Sequence, residues 1–130
     1  MKQVYKAGDI KTYDVIVKPA DTAAFDSGTV HPVYATFALG RDAEWCCRLF
    51  ALDMKENDEE GIGTSLHIEH LMPALVGSAI HFTATLISLN GNEIICSYEA
   101  RNGERLIAKG TQCQKILKKE SIEKIFKRLS

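Results

Sequence analysis

The sequence predicts an α+β fold in which one long helix packs on a five-stranded antiparallel sheet. Three observations lead there. Between Phe37 and Met54 apolar residues recur every three to four positions, with Leu39, Ala43, Cys46, Cys47, Phe50 and Met54 forming one stripe. After Gly61 the period changes to two, and alternating segments follow one another to Leu117. The turns inside that second region are short, which makes its strands antiparallel neighbours, and so apolar a helix has to lie against them.

The elements follow in order. Residues 9–18 alternate as a first strand that Pro19 ends. Residues 19–35 read as a loop, with Asp26-Ser27-Gly28 as a turn and His31-Pro32 as an extended dipeptide. The helix over 37–54 gives way to the acidic segment Lys55–Glu60 and Gly61, an exposed turn. In the next strand Ile62, Thr64, Leu66, Ile68 and His70 share one face, and Gly63, Ser65, His67 and Glu69 share the other. Pro73 and Gly77 separate it from a strand carrying Ile80, Phe82, Ala84 and Leu86 on one face. Asn90-Gly91-Asn92 is a hairpin turn into a strand with Ile94, Cys96, Tyr98 and Ala100 aligned. Asn102-Gly103 is another, leading into Arg105–Leu117. A short basic helix at about 120–129 closes the chain.

With 130 residues, the chain is expected to form a single domain over 1–130, large enough to bury a core without disulfides or a structural metal. Formal net charge is −1, and stacking aromatics are few, which excludes a nucleic-acid role. No apolar run is long enough to span a bilayer, and the polar start has no apolar signal core behind it, so a cytoplasmic protein is expected. The four cysteines, at 46, 47, 96 and 113, show no zinc spacing and fall within apolar patterns, as buried thiols do. Residues 115–130 carry +4 and the remainder −5, which fits a solvated terminal helix or an anion site.

Three features then act together. Thr36 stands eight residues before Glu44, Glu44 is followed by Trp45, and Gly63-Thr64 precedes His70 by seven. In this order and on these elements, about Gly8 to Leu117 resembles the fluoroacetyl-CoA thioesterase family of hot dog fold proteins. The resemblance implies a thioesterase that splits acyl-CoA with water, uses no metal or redox cofactor, and works as a homodimer with sites near the subunit interface. It implies that Thr36, Glu44 and His70 are catalytic and that Gly63 is an active-site glycine. Thr64 and Val30 are the accompanying candidates for substrate contact. The sequence departs from the family at Thr29-Val30-His31-Pro32, where members that hydrolyse fluoroacetyl-CoA carry a lid phenylalanine. It departs again at Gln112-Cys113-Gln114, where an arginine contacts substrate. Both departures bear on fluorine selectivity and leave thioester hydrolysis intact.

The residues suit that chemistry on their own account. Thioester hydrolysis needs a base or nucleophile, an activated water and donors for the oxyanion. Glu44 lies in a largely apolar helix; its alternative is an ion pair with Arg41 or Arg48 on the helix surface. Thr36 stands where the helix begins, either as an N-cap or beside the free N–H groups that attract an anion or carbonyl oxygen. Eight residues of helix rise about 12 Å, so Thr36 and Glu44 on one regular helix cannot touch. Either the chain near Thr36 folds back, or one site draws on two subunits. His70 falls on the inward face at a strand end, as a pocket histidine or as a core histidine bonded to backbone. His67, Glu69 and His70 fail as a metal cluster because strand alternation points His70 away from the other two. A nucleophile at Cys46 or Cys47 lacks a thiolate-stabilising neighbour. Arg41, Arg48 and Lys115–Lys119 are candidates for the CoA phosphates.

The resulting expectation is a homodimeric hot dog thioesterase acting on a small or medium acyl-CoA. The alternative is a non-catalytic acyl-CoA binding module of the same fold. A hot dog hydratase would need an aspartate–histidine motif at different positions, which the sequence does not show.

Overall fold

Helix α1 (Thr36–Met54) begins one residue before the expected start, and every member of the predicted stripe is buried in it. The structure is a computed structural model; it describes residues 1–25 and 28–130, and side chains outside 24–31. Strand β1 (Ile10–Ile16) alternates exposed and half-buried positions, as an edge strand with one covered face does. Strands β4 (Glu59–His70), β5 (Ala79–Asn90), β6 (Glu93–Asn102) and β7 (Arg105–Lys118) follow α1, and helix α2 (Lys119–Leu129) closes the chain. Gly91 and Gly103 take the left-handed conformation in the two predicted hairpin turns, where residues with a Cβ are disfavoured.

Two features differ from the sequence expectation. The 19–35 region is not all loop: a 3-10 turn at Pro19–Asp21 leads into β2 (Thr22–Phe25) and β3 (Gly28–Tyr34), which pair as a small antiparallel ribbon. Its register shifts twice in four residues, so no clean alternation marks it in the sequence. The predicted turn at Asp26-Ser27 lies outside the described residues. Secondly, the last four strands are not one meander. The sheet order is β1-β5-β6-β7-β4, so β4 pairs with β7 and the 71–78 segment crosses two strands to reach β5. That crossover is tied down by Leu71 N–H donating to the Ile107 carbonyl at 2.8 Å and Tyr34 N–H to the Ala74 carbonyl at 2.8 Å.

The core lies between α1 and the sheet, filled by Leu39, Phe50, Phe82, Leu86, Ile94 and Ile107 among others. Cys46, Cys47 and Cys96 are buried in it; Cys113, expected there too, is half-buried on the outer face of β7. α2 lies against β7 through Ile122 and is otherwise exposed, the solvated basic helix that its composition suggests. Lys118 fastens its start by bonding Asp58 at 2.9 Å. Among the described residues no helix is long and apolar enough to cross a membrane.

Candidate functional site

α1 and β4 run alongside one another in opposite directions, and the helix presents one residue per turn to the strand. Thr36 meets His70, Gly40 meets Ile68 and Leu66, Glu44 meets Gly63, and Arg48 meets Gly61. This i, i+4 ladder places the candidate residues. Close approach depends on glycine at two of its rungs. A Cβ on Gly40 would come within 2.7 Å of Ile68 Cδ1, and a Cβ on Gly63 would fall on Glu44 Oε1.

The ladder also corrects the predicted face of Gly63. Strict alternation sets it opposite Leu66, Ile68 and His70. The pairing of β4 with β7 shifts between Gly63 and Ser65, where Thr64 is left without a register partner, and this bulge turns Gly63 to the helix side with them. Thr64, proposed as a substrate contact, sits on the bulge and is exposed. Val30 belongs to β3, and its side chain lies outside the described residues.

Thr36 Oγ1 lies 2.9 Å from His70 Nδ1. Thr36 is the first residue inside α1, not its cap: Ala35 holds the cap position, and no side chain caps the helix. The threonine hydroxyl is therefore engaged by His70. Burial pushes the His70 imidazole below its ordinary pKa, with the Met72 backbone partly offsetting this, so the ring is neutral near pH 7. The pair opens on a cleft of about 280 Å³ lined by Val33, Leu71, Met72 and Pro73.

Glu44 lies in a second cluster. Its Oε1 is 3.5 Å from Nε2 of Gln112, a fully buried residue of β7. It borders a different cleft, of about 410 Å³, with Tyr13, Arg41, Asp42, Trp45 and Arg48. Neither arginine pairs with it, which overturns the surface ion-pair alternative. Arg41 bonds Asp21 at 3.0 Å and Asp42 at 3.1 Å, and Arg48 donates to the Gly61 carbonyl at 2.7 Å. Both cations are thus anchored by protein groups, and Lys118 is held by Asp58.

α1 is continuous from Thr36 to Glu44, so the first route around the distance constraint is absent: the chain does not fold back near Thr36. Within one chain the two clusters stay separate. His67 and Glu69 are exposed, with His67 Nε2 3.7 Å from Glu69 Oε1, and they stand apart from the His70 pair. Among the described residues no group of three possible metal ligands comes together. Burial raises the Cys46 thiol to about 11, and Cys96 with burial raises Cys47 further, so both are neutral thiols.

Gly40 was not singled out from the sequence; Gln112 stood there only as a departure from the family, and Gly61 only as part of an exposed turn, whereas it is buried in β4. The signal for Gln112 is a polar residue on the apolar face that also carries Ala108, Gln114 and Ile116. For Gly40 it is the four-residue spacing from Thr36 and to Glu44.

Comparison with known proteins agrees with this architecture. The profile of the fluoroacetyl-CoA-specific thioesterase family matches residues 17–120. A Thermus thermophilus protein described as a thioesterase superfamily member is 33% identical, with a TM-score of 0.93 over 98% of this chain and 94% of that one. A mutant of fluoroacetyl-CoA-specific thioesterase gives 22% identity and a TM-score of 0.89 over 99% of this chain and 100% of that one. A hot-dog-like protein from Thermanaerovibrio acidaminovorans gives 19% and 0.88 over 97% and 94%. A comparison with curated proteins returned no match. The long helix on a five-stranded antiparallel sheet is the hot dog fold, and the chain belongs to the fluoroacetyl-CoA-specific thioesterase family, whose members are thioester hydrolases.

Proposed function

We propose that this chain hydrolyses a small or medium acyl-CoA to the free acid and CoA at a site shared by two copies, with Glu44 as base or nucleophile and Thr36 and His70 assisting. The observation that carries the reading is the unbroken helix between two polar clusters that both face β4. The outer edge of β4 has no partner strand among the described residues, and Leu66 beside it is 41% exposed. If two copies pair these edges antiparallel about a dyad at His67, so that Leu66 faces Ile68 and the bulged Thr64 is skipped, Gly63 of one protomer lies beside the partner's His70. Glu44 of one copy then shares a site with the threonine and histidine of the other.

The chemistry follows from that placement. As base, the Glu44 carboxylate takes a proton from water as the oxygen attacks the thioester carbonyl; as nucleophile, it attacks the carbonyl itself, and water then splits the anhydride. The carbonyl oxygen becomes an oxyanion, for which the unpaired N–H groups of the first turn of α1 are suited donors. Collapse breaks the C–S bond, and the CoA thiolate takes up a proton. The neutral His70, hydrogen-bonded to Thr36, can pass that proton. Solved structures of fluoroacetyl-CoA thioesterase include a threonine variant in complex with acetyl-CoA, which supports a CoA thioester as the substrate class here.

The test is CoA release from a panel of acyl-CoAs, followed with a thiol reagent, for wild type and Glu44→Ala. Release that collapses in the variant supports the reading and ranks the acyl groups. Equal release in both overturns the role of Glu44. No release from any substrate, with CoA still raising the melting temperature, points to the binding module.

A further inference from the structure

Two glutamines on β7 stand out in the interior. Gln112 and Gln114 are 0% and 1% exposed on the face that meets α1, among residues that are otherwise apolar. Gln112 Oε1 and both polar atoms of the Gln114 amide are buried without a protein partner. Burying amides this way costs folded-state stability, and such violations of the usual pairing rule gather where function needs them.

For Gln112 the geometry says what the need is. Its Nε2 lies 3.0 Å from the Cys113 carbonyl oxygen and 3.5 Å from Glu44 Oε1. A carbonyl oxygen only accepts, so the Cys113 carbonyl fixes which end of the amide is nitrogen. One N–H is directed to that carbonyl, and the other is left facing the carboxylate. Gly63 keeps the space open: a Cβ there would lie 3.5 Å from Gln112 Nε2 and on Glu44 Oε1. The other groups around Glu44 are otherwise engaged or neutral. Arg41 and Asp42 bond one another, Arg48 is held by the Gly61 carbonyl and Glu60, Tyr13 lines the cleft, and Cys47 is a neutral thiol.

We propose that Gln112 is a positioning residue for Glu44: its side-chain N–H, set by the Cys113 carbonyl, holds one carboxylate oxygen in place and leaves the other for the reaction. This rests on the reading of Glu44 as base or nucleophile. A charge-assisted bond at that oxygen fixes the orientation of the carboxylate.

The experiment measures kcat and KM for acyl-CoA hydrolysis by the full chain in wild type, Gln112→Leu, Gln112→Glu and Gln114→Leu. Loss of one charge-assisted bond in Gln112→Leu lowers kcat about 10- to 100-fold with KM little changed. Gln112→Glu, the same shape with no N–H to donate, lowers kcat at least as much. Gln114→Leu, an equally buried substitution, leaves kcat within about twofold of wild type. Folded Gln112 variants with wild-type kcat overturn the proposal, as does an equal loss of kcat in Gln114→Leu. Neutron diffraction from a crystal of the wild-type protein, which distinguishes the amide nitrogen from the oxygen, settles the case in which the Gln112 variants do not fold. The amide nitrogen facing Glu44 supports the proposal, and the oxygen facing it overturns it. Activity surviving in Glu44→Ala is a different failure, that of the underlying reading.

Discussion

Thr36 and His70 form the pair whose chemistry is most directly tied to pH. The unfolded chain binds a proton at His70 near the ordinary histidine value of about 6.5, whereas the folded chain resists it because burial disfavours the cation. The unfolded state therefore holds more protons as the pH falls through about 6.5, and folding stability declines there until the folded ring is protonated too. Melting temperatures between about pH 7.5 and 5 check this: His70→Gln is expected to flatten the wild-type decline. At Gly63 the constraint is space. Gly63→Ala sets a methyl on the Glu44 carboxylate, and kcat/KM is expected to fall by at least about tenfold while circular dichroism keeps its native form. These candidates were legible through the family resemblance that the Thr36, Glu44-Trp45 and Gly63-Thr64 to His70 spacings carry together. The face of Gly63 was not, because the bulge beside it leaves no mark in residue type.

Among elements, β4 is the one that the site depends on, and a long-range contact holds it. Tyr98 reaches from β6 across β7 to donate to the His67 carbonyl on β4 at 2.7 Å. Gly110 permits this, since a Cβ there would lie 2.6 Å from the Tyr98 hydroxyl and collide with that carbonyl. Tyr98→Phe, which removes this part-buried bond, is expected to cost about 0.5–1.5 kcal/mol in urea unfolding. Gly110→Ala is expected to cost more, because its clash is with backbone. The sequence showed α1 and β5 through β7 nearly to their ends, since local periodicity and Gly-centred turns define them. It could not show that β4 pairs with β7, because no local pattern records which strands meet. It also hid β2 and β3, whose irregular pairing includes His31-Pro32.

At the scale of the whole molecule, the separation of Thr36 from Glu44 could be anticipated from helical rise alone, and the continuous α1 bears that out. The partner that would reunite them could not be read from periodicity. Its proposal rests on the edge of β4, which has no partner strand among the described residues, and on the resemblance to a dimeric family. A shared site makes a demand that a self-contained one does not: two inactive proteins with lesions on opposite sides of it restore each other. The measurement is CoA release by Thr36→Val and Glu44→Ala, each alone and after co-refolding at equal amounts, with mixed dimers verified by native mass spectrometry. In a mixed dimer one site carries both lesions and the other carries neither. A composite site predicts activity returning to about a quarter of wild type. Mixed dimers that form and stay as inactive as their parents contradict it.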